Sequence, residues 1–277
     1  MSEEIEAPPP QPGASLMLAW QVKEKHVLVV GAGDVGLSRI DHLLAANAKI
    51  TVITGNDIHP RIEYYNKLGL LEQLICRDFQ LSDLKLYESE GIRESVMGKC
   101  DGDDSLDPLN DEITKNIEKF EKEKFKMVLT CVNNYPLSLR IWYQCKKLGI
   151  DVNLADKPAY CDFYFGSIYR QGPLQIMIST NGNSPRLCNR IKNKMLAPLF
   201  DDLDLNKAVQ NLSYLRSKLR NEIHPGDKTQ IIKERMEWNK KITDHYTIKE
   251  WTKFELSSID KIVSFYPNFP KIGDLVG

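Results

Sequence analysis

The chain has 277 residues, which is long enough for one large domain or for two domains with a substantial core. Its charged residues nearly cancel, to a formal net charge of −1, so no overall basic field indicates a nucleic-acid partner. No apolar run approaches the roughly 20 residues that a membrane-spanning helix needs, and the acidic, proline-rich N-terminus is unlike a secretory signal.

Six cysteines are scattered along the chain and form no C-x-x-C pair. This spacing is typical of reduced thiols in a cytosolic protein, and we predict a cytoplasmic location. Because no tight group of cysteines and histidines occurs either, the sequence predicts no protein-held metal site. The five histidines are spread out in the same way and indicate no catalytic pair.

Residues 1–14 contain three consecutive prolines and are predicted to be a disordered tail. The short apolar stretch Ser15–Trp20 follows, and we expect it to pack against the domain as an extended edge or a turn.

The strongest pattern begins with the apolar run Val27–Val30, which stops at Gly31. Gly33 and Gly36 follow at the G-x-G-x-x-G spacing, a helical pattern comes next, and Lys49–Thr54 indicates a second strand. Gly31 permits a sharp turn, Gly33 lets a pyrophosphate approach the backbone, and Gly36 lets the helix lie close to the strand. The pattern predicts a dinucleotide-binding βαβ unit; the alternative is a glycine turn in another doubly wound fold.

One part of the dinucleotide pattern is missing. An acidic residue usually ends the second strand and binds the ribose hydroxyls. Thr54 occupies that position here, Gly55 follows it, and Asp57 comes a few residues later. The nearest arginine that could hold a 2′-phosphate is Arg61. The sequence favours NAD over NADP.

The region after this unit is less regular. Residues 60–70 indicate a helix, and Leu74–Phe79 indicates a short third strand. Residues 88–124 carry many charged and few large apolar side chains, which predicts an exposed acidic insertion with a helix over 110–123. The acidic cluster Asp101–Pro108 lacks the spacing of a calcium-binding loop, so a solvated loop is favoured over a calcium site.

Core strands resume at Phe125–Val132. Pro136 is well placed to start a helix, and Gly149 is well placed to end it. Ile150–Ala155 indicates a further strand that ends at Asp156. The alternation of strands and helices predicts an α/β fold with a Rossmann-type doubly wound parallel sheet.

In such a sheet, ligands bind beyond the carboxyl ends of the strands. We therefore expect one crevice to contain the glycine loop, Thr54, the segment Thr130–Asn133 with Cys131, and the segment Asn153–Asp156. Asp156 could then act as a general base, accepting a proton while a hydride leaves a neighbouring carbon. A helix-capping or turn role for Asp156 is the alternative.

After Asp156 the sequence no longer shows alternating strands and helices. Two apolar stretches, Asp162–Tyr169 and Leu174–Thr180, predict a β-hairpin. The loop Ser179–Arg186 follows, in which Ser184 is a good N-cap and Pro185 a good first helical residue. A glycine-containing loop that opens a basic helix can hold an anion; a plain capped helix is the alternative.

From residue 203 the chain is predicted to be helical, with further helices near 228–241, 247–254 and 255–266. The first helix carries an apolar stripe that indicates core or interface: Leu205, Ala208, Val209, Leu212, Leu215 and Leu219.

Three stretches together resemble a known family. They are Val30–Leu37, Val152–Gly166 and Ile178–Arg186, which read VGAGDVGL, VNLADKPAYCDFYFG and ISTNGNSPR. These motifs are similar to those of the fungal sirohaem synthases, which are bifunctional precorrin-2 dehydrogenases and sirohydrochlorin ferrochelatases. The second and third motifs are more specific than the first, and their order and spacing match.

The resemblance implies a domain organisation. An NAD-binding Rossmann domain is expected over 15–157, a small α+β dimerisation segment over 158–202, and a C-terminal helical domain over 203–277. The family forms an intertwined homodimer, so a second copy of the chain is the expected partner.

The resemblance also implies the chemistry. NAD⁺ takes a hydride from precorrin-2, and Fe²⁺ is a substrate that is inserted to give sirohaem. Asp156 matches the essential aspartate that serves both reactions. The expected cofactor-binding residues are Gly31, Gly33, Asp34, Val35, Gly36, Thr54, Gly55 and Cys131. The expected binding residues for the carboxylated tetrapyrrole are Asn153, Ser179, Asn181, Ser184 and Arg186.

Two other functions remain open. A dehydrogenase without chelatase activity would keep the same glycine loop and the same Asp156. A non-catalytic NAD-binding regulatory module would need neither Asp156 nor the anion loop, so these two features argue against it.

Overall fold

The computed structural model of the protein describes residues 12–55, 57–97 and 111–270. Most of the predicted disordered tail and the acidic cluster Asp101–Pro108 lie outside these residues. The chain forms two compact units, the first ending at Phe165 and the second beginning at Gly166. The predicted division into three parts stays a prediction.

The first unit is built on a sheet of five parallel strands in the order β3-β2-β1-β4-β5. This arrangement confirms the predicted α/β fold with a doubly wound parallel sheet. The strands are β1 His26–Val30, β2 Lys49–Thr54, β3 Gln73–Cys76, β4 Phe125–Thr130 and β5 Asp151–Leu154. The α-helices are α1 Asp34–Ala45, α2 Pro60–Lys67, α3 Ile92–Met97, α4 Asp111–Glu123 and α5 Tyr135–Leu148.

Helices cover both faces of this sheet. Val27 and Val29 of β1 pack with Ile40 of α1 on one face. Their neighbours Leu28 and Val30 point the other way and pack with residues of α5. Because both faces are buried, the central strands are continuous apolar runs, which is the pattern that made them predictable.

The ends of α5 also follow from the sequence. The Asn134 side chain accepts a hydrogen bond from the backbone N–H of Leu137 at 3.0 Å and so caps the N-terminus. Gly149 adopts a left-handed conformation with φ 64° and closes the C-terminus, as predicted.

Residues 88–124 differ from the exposed insertion that the sequence predicts. The predicted helix over 110–123 is present as α4, but Ile92, Arg93 and Phe120 are buried. Arg93 pairs with the buried carboxylate of Glu88 and donates a hydrogen bond to the carbonyl of Leu148 at 2.5 Å. The prediction is therefore wrong for the two ends of this segment, because a few apolar and paired charged residues join them to the first unit.

The stretch Ser15–Trp20 does not pack as predicted. It forms no strand or helix, and Leu16 and Leu18 are 83% and 73% exposed. The Trp20 ring packs edge-to-face against the Phe163 ring, with 5.1 Å between the ring centroids.

The second unit begins with an antiparallel hairpin of β6 Ser167–Gln171 and β7 Leu174–Ile178. The predicted first strand starts too early, since Asp162 instead donates its N–H to the Val152 carbonyl of β5. The α-helices that follow are α6 Pro185–Ile191, α7 Ala197–Phe200, α8 Leu205–Lys218, α9 Thr229–His245, α10 Ile248–Trp251 and α11 Leu256–Ser264.

The C-terminal helices surround their own core, which includes Leu215 and Trp238. Within the predicted stripe on α8, Ala208 and Leu215 are buried in the core, whereas Val209 is exposed and does not belong to it. Asn211 is buried on this helix instead, and its amide donates to the carbonyls of Trp251 and Phe254 at 3.0 and 2.8 Å. Within the described part of the chain, no helix has the length and apolar character to cross a membrane.

Phe120→Ala should lower the free energy of unfolding by about 3–5 kcal/mol, because it removes a ring that is buried in the first unit. Ile117→Ala on the same helix is the matched control, because this side chain is 45% exposed; it should change stability by no more than about 0.5 kcal/mol. Urea denaturation followed by circular dichroism measures both. Equal, small effects would mean that α4 is the exposed helix that the sequence predicts.

Candidate functional site

The glycine loop leaves β1 in a sharp turn. Gly31 has φ 106°, a conformation that side chains disfavour, and its N–H donates to the Ile53 carbonyl at 2.8 Å. A Cβ at this position would come within 2.4 Å of the Cys131 carbonyl oxygen. Glycine is therefore required both by the turn and by the close approach of the segment after β4.

Gly33 and Gly36 have opposite surroundings. A Cβ at Gly33 would meet no atom within 4 Å, so the space beside it is open to a ligand. A Cβ at Gly36 would lie 2.4 Å from the Gly31 carbonyl oxygen, so glycine here lets α1 sit against the loop. The first-turn N–H groups of α1 have no partner within the helix and carry the positive end of its dipole. This arrangement suits a phosphate.

Two exposed residues begin α1. The side chain of Asp34 is 96% exposed, and Val35 is 41% exposed. One Asp34 oxygen lies 3.7 Å from Nε2 of His59, and the His59 N–H donates to the Ala32 carbonyl at 2.9 Å. The start of α2 is thus joined to the glycine loop, a contact that the sequence did not indicate.

The end of β2 contains Thr54, which is buried, and Gly55, which is exposed. A Cβ at Gly55 would lie 2.0 Å from Oδ1 of Asp78. Asp78 follows β3, which ends at Cys76 rather than at Phe79 as predicted. Asp78 was not among the predicted site residues; its signal in the sequence is an acid just after the strand that pairs with β2.

The Arg77 guanidinium is held away from the space beside Gly55. It donates two hydrogen bonds to the Asp83 carboxylate, at 2.8 and 2.7 Å. Burial raises the pKa of Asp83, but the hydrogen bonds from Arg77 and from the Gln80 N–H outweigh this effect and hold the pKa below its ordinary value.

Cys131 lies beneath the glycine loop. Its N–H donates to the Val30 carbonyl at 2.7 Å, and its Cβ is 3.8 Å from the position of a Cβ at Gly36. Burial raises the pKa of the Cys131 thiol to about 12. The thiol is therefore protonated at neutral pH and shapes the floor of the loop rather than acting as a nucleophile.

Asp156 lies two residues beyond β5 and is exposed. Its backbone has φ 60°, in the left-handed region that few residues other than glycine adopt. Such strained positions cluster at functional sites. Lys157 next to it has its ammonium 4.7 Å from the centre of the Tyr135 ring.

The loop that carries Asp156 is fixed at its base. Asp162 accepts a hydrogen bond from the Val152 N–H at 2.9 Å and pairs with Lys146. The buried Asn153 amide donates to the Phe163 carbonyl at 2.8 Å. This contact gives Asn153 a structural role, and a direct contact with substrate stays a prediction.

The first unit therefore brings together most of the predicted residues. The glycine loop follows β1, Thr54 ends β2, Cys131 follows β4 and Asp156 follows β5. Since these strands are parallel, all of these groups lie at the carboxyl edge of one sheet. The Ala155 N–H also donates to the Thr130 carbonyl at 3.1 Å, which ties the Asp156 loop to the end of β4.

The predicted anion loop lies in the second unit. Thr180 organises it, accepting hydrogen bonds from the N–H groups of Asn183 and Ser184 at 3.0 and 2.8 Å. Ser184 occupies the predicted N-cap position of α6, and Pro185 is its first residue, although the Ser184 side chain makes no capping hydrogen bond. Arg186 is exposed.

The other predicted residues of this loop are partly engaged by it. The Ser179 hydroxyl accepts a hydrogen bond from the Asn181 N–H at 3.1 Å, and Asn181 adopts φ 52°. Substrate binding by Ser179, Asn181, Ser184 and Arg186 stays a prediction. Across the described ranges of both units, no group of three or more histidine, cysteine, aspartate or glutamate side chains could hold a metal ion.

Comparisons with known proteins cover nearly the whole chain. A family model for NAD(P)-binding matches residues 18–167. Models for the central and C-terminal parts of sirohaem biosynthesis proteins match residues 171–197 and 203–269. The chain belongs to the sirohaem biosynthesis family. This result confirms the family resemblance of the three sequence motifs.

Individual relatives agree with this assignment. A siroheme biosynthesis protein of Schizosaccharomyces pombe is 31% identical over 93% of this chain and 81% of its own length. A siroheme biosynthesis protein of Saccharomyces cerevisiae is 34% identical over 85% of this chain and 84% of its own length. The solved structure of SirC, a precorrin-2 dehydrogenase, shares the fold, with TM-score 0.53 and 19% identity over 89% of this chain and all of that one.

The glycine loop fits the dinucleotide that an NAD(P)-binding domain holds. Open space beside Gly33 and the N–H groups at the start of α1 suit a pyrophosphate. Gly31 and Gly36 build the loop, whereas Gly33 leaves room for the ligand.

Gly33→Ala and Gly36→Ala should separate these two roles. Gly33→Ala should leave stability within about 0.5–1 kcal/mol of wild type but weaken dinucleotide binding, because the methyl group enters the open space. Gly36→Ala should cost about 1–3 kcal/mol of stability, because its methyl group collides with the Gly31 carbonyl. Thermal unfolding and calorimetric titration with NAD⁺ test both. Unchanged binding by Gly33→Ala would contradict the placement of the phosphates.

Proposed function

We propose that this protein makes sirohaem in two steps, oxidising precorrin-2 with NAD⁺ to sirohydrochlorin and then inserting Fe²⁺. The observation that carries this proposal is the exposed Asp156 carboxylate at the sheet edge that also carries the glycine loop. Membership of the sirohaem biosynthesis family supports it.

The first step needs a base. Precorrin-2 loses a hydride and a proton, and NAD⁺, when bound, supplies the hydride acceptor. Asp156 accepts the proton, since its carboxylate is exposed and belongs to a loop fixed by Asp162. Cys131 does not serve as the base, because burial holds its pKa at about 12 and keeps it protonated.

The second step needs a base as well. Two pyrrole N–H groups of sirohydrochlorin must lose their protons before the ring nitrogens can bind Fe²⁺. Asp156 can accept these protons in turn, so one carboxylate serves both steps and no covalent nucleophile is required. Fe²⁺ is a substrate that the macrocycle holds, so the proposal requires no protein-held metal centre.

The loop Ser179–Arg186 is proposed to bind carboxylate groups. The exposed Arg186 and the polar groups of Ser179, Asn181 and Ser184 suit the carboxylates of a tetrapyrrole. Asn153 supports the Asp156 loop. We further propose a cytoplasmic homodimer. The location is supported by the free thiols of all five described cysteines, and the dimer by the family resemblance.

Reconstitution tests the proposed function directly. Purified protein with precorrin-2 and NAD⁺ should convert the absorbance spectrum to that of sirohydrochlorin and produce NADH. Addition of Fe²⁺ should then give the spectrum of sirohaem. NADH formation without sirohaem would identify a dehydrogenase alone, and dinucleotide binding without turnover would identify a regulatory module.

Asp156→Asn should lower the rates of both steps by at least about 100-fold while NAD⁺ affinity is retained. Asparagine suits this test because it tolerates the left-handed backbone at this position and removes only the charge. Single-turnover assays of each step and calorimetry with NAD⁺ provide the readouts. Near wild-type rate in either step would show that the two reactions do not share this base.

Gly36→Asp should abolish the dehydrogenase step, because a bulky anion would enter the crowded space against the Gly31 carbonyl and repel the phosphates. Insertion of Fe²⁺ into supplied sirohydrochlorin should continue, since it requires no dinucleotide. Circular dichroism checks that the variant is folded. Loss of both activities in a folded variant would mean that the two steps are coupled through the cofactor site.

A further inference from the structure

The first unit lacks an acidic side chain on β2 where dinucleotide-binding folds usually have one. Thr54 ends this strand with its side chain buried, and Gly55 has no side chain. In NAD-binding proteins the acid at this position accepts hydrogen bonds from the ribose hydroxyls. Some other group must supply this contact if the loop binds NAD⁺ with selectivity.

Asp78 lies beside the end of β2, next to the position where that acid would be. Strand β3 pairs with β2 in parallel, with Thr54 opposite Cys76, so the residues just beyond both strands are neighbours. Oδ1 of Asp78 is 2.0 Å from the position that a Cβ on Gly55 would occupy. Glycine at 55 therefore leaves room for the carboxylate of residue 78, which is exposed.

The nearby arginines are directed elsewhere. Both terminal nitrogens of Arg77 donate hydrogen bonds to the Asp83 carboxylate. Arg77 also donates a hydrogen bond to the main-chain carbonyl of Asp78, at 2.9 Å, and not to the Asp78 carboxylate. Arg61 lies 3.6 Å from an Asp41 oxygen. A 2′-phosphate beside Gly55 would thus meet the negative charge of Asp78, whereas proteins that accept this group place an arginine there.

We infer that Asp78 is the residue that selects NAD⁺ over NADP⁺, by accepting hydrogen bonds from the adenosine ribose and repelling a 2′-phosphate. This inference rests on the proposed use of a dinucleotide by the Gly31–Gly36 loop. In the sequence the nearest acid after β2 is Asp57, whereas the structure places the carboxylate of Asp78 beside Gly55. Discrimination of this kind combines an attractive contact with the preferred ligand and a repulsive one with its competitor.

Calorimetric titration of the full chain with NAD⁺ and with NADP⁺, without tetrapyrrole, tests the inference. The wild type should bind NAD⁺ more tightly. Asp78→Asn removes the charge at almost constant shape and should reduce the preference for NAD⁺ by about tenfold or more, mainly by tighter NADP⁺ binding. Asp78→Glu keeps the charge and should retain most of the preference.

Asp57→Asn is the matched control, because it removes a charge from the same edge of the sheet and should leave the preference unchanged. Thermal unfolding of each variant shows whether a loss of dinucleotide binding is caused by a loss of folded protein. Three results would overturn the inference: equal affinity of the wild type for both dinucleotides, equal loss of both affinities in Asp78→Asn, or a changed preference in Asp57→Asn alone. Failure of the wild type to bind either dinucleotide would instead overturn the proposed function together with this inference.

Discussion

Parallel pairing of the five strands is the constraint on which the site depends. Because every strand runs in the same direction, each residue that follows a strand lies at one edge of the sheet. The glycine loop, Asp78, Cys131 and Asp156 come from four different strand ends and share that edge for this reason. Burial of both faces fixes the strand registers, since a slip by one residue would turn apolar side chains away from their core.

Local patterns made much of this fold predictable. The glycine spacing, the apolar runs and the caps of α5 are each encoded within a few neighbouring residues. The position of Asp156 was predictable as well, since it lies just beyond a strand and the sheet edge is defined by the strands themselves. The family motifs indicate which reaction takes place at the site, whereas the strand pattern by itself predicts the position of this carboxylate.

Contacts between distant segments were not predictable in the same way. Asp78 becomes part of the nucleotide side of the sheet only because β3 pairs with β2 and residue 55 is glycine. Phe120 and Arg93 lie in a mainly polar stretch, and the composition of that stretch did not indicate that they are buried. On α8 the apolar stripe includes Val209, which is exposed, and omits Asn211, which is buried because two carbonyls satisfy its amide. Each of these outcomes depends on a partner that sequence spacing does not reveal.

The left-handed backbone at Asp156 restricts what chemistry can evolve there. Aspartate and asparagine tolerate this conformation better than most side chains, and glycine adopts it freely. Of these three, only aspartate can carry a negative charge. A glutamate would have the same charge but a less compatible backbone, and its longer side chain would move the carboxylate outward. The turn itself therefore favours a short acid, and replacement of aspartate by glutamate is not conservative at this position.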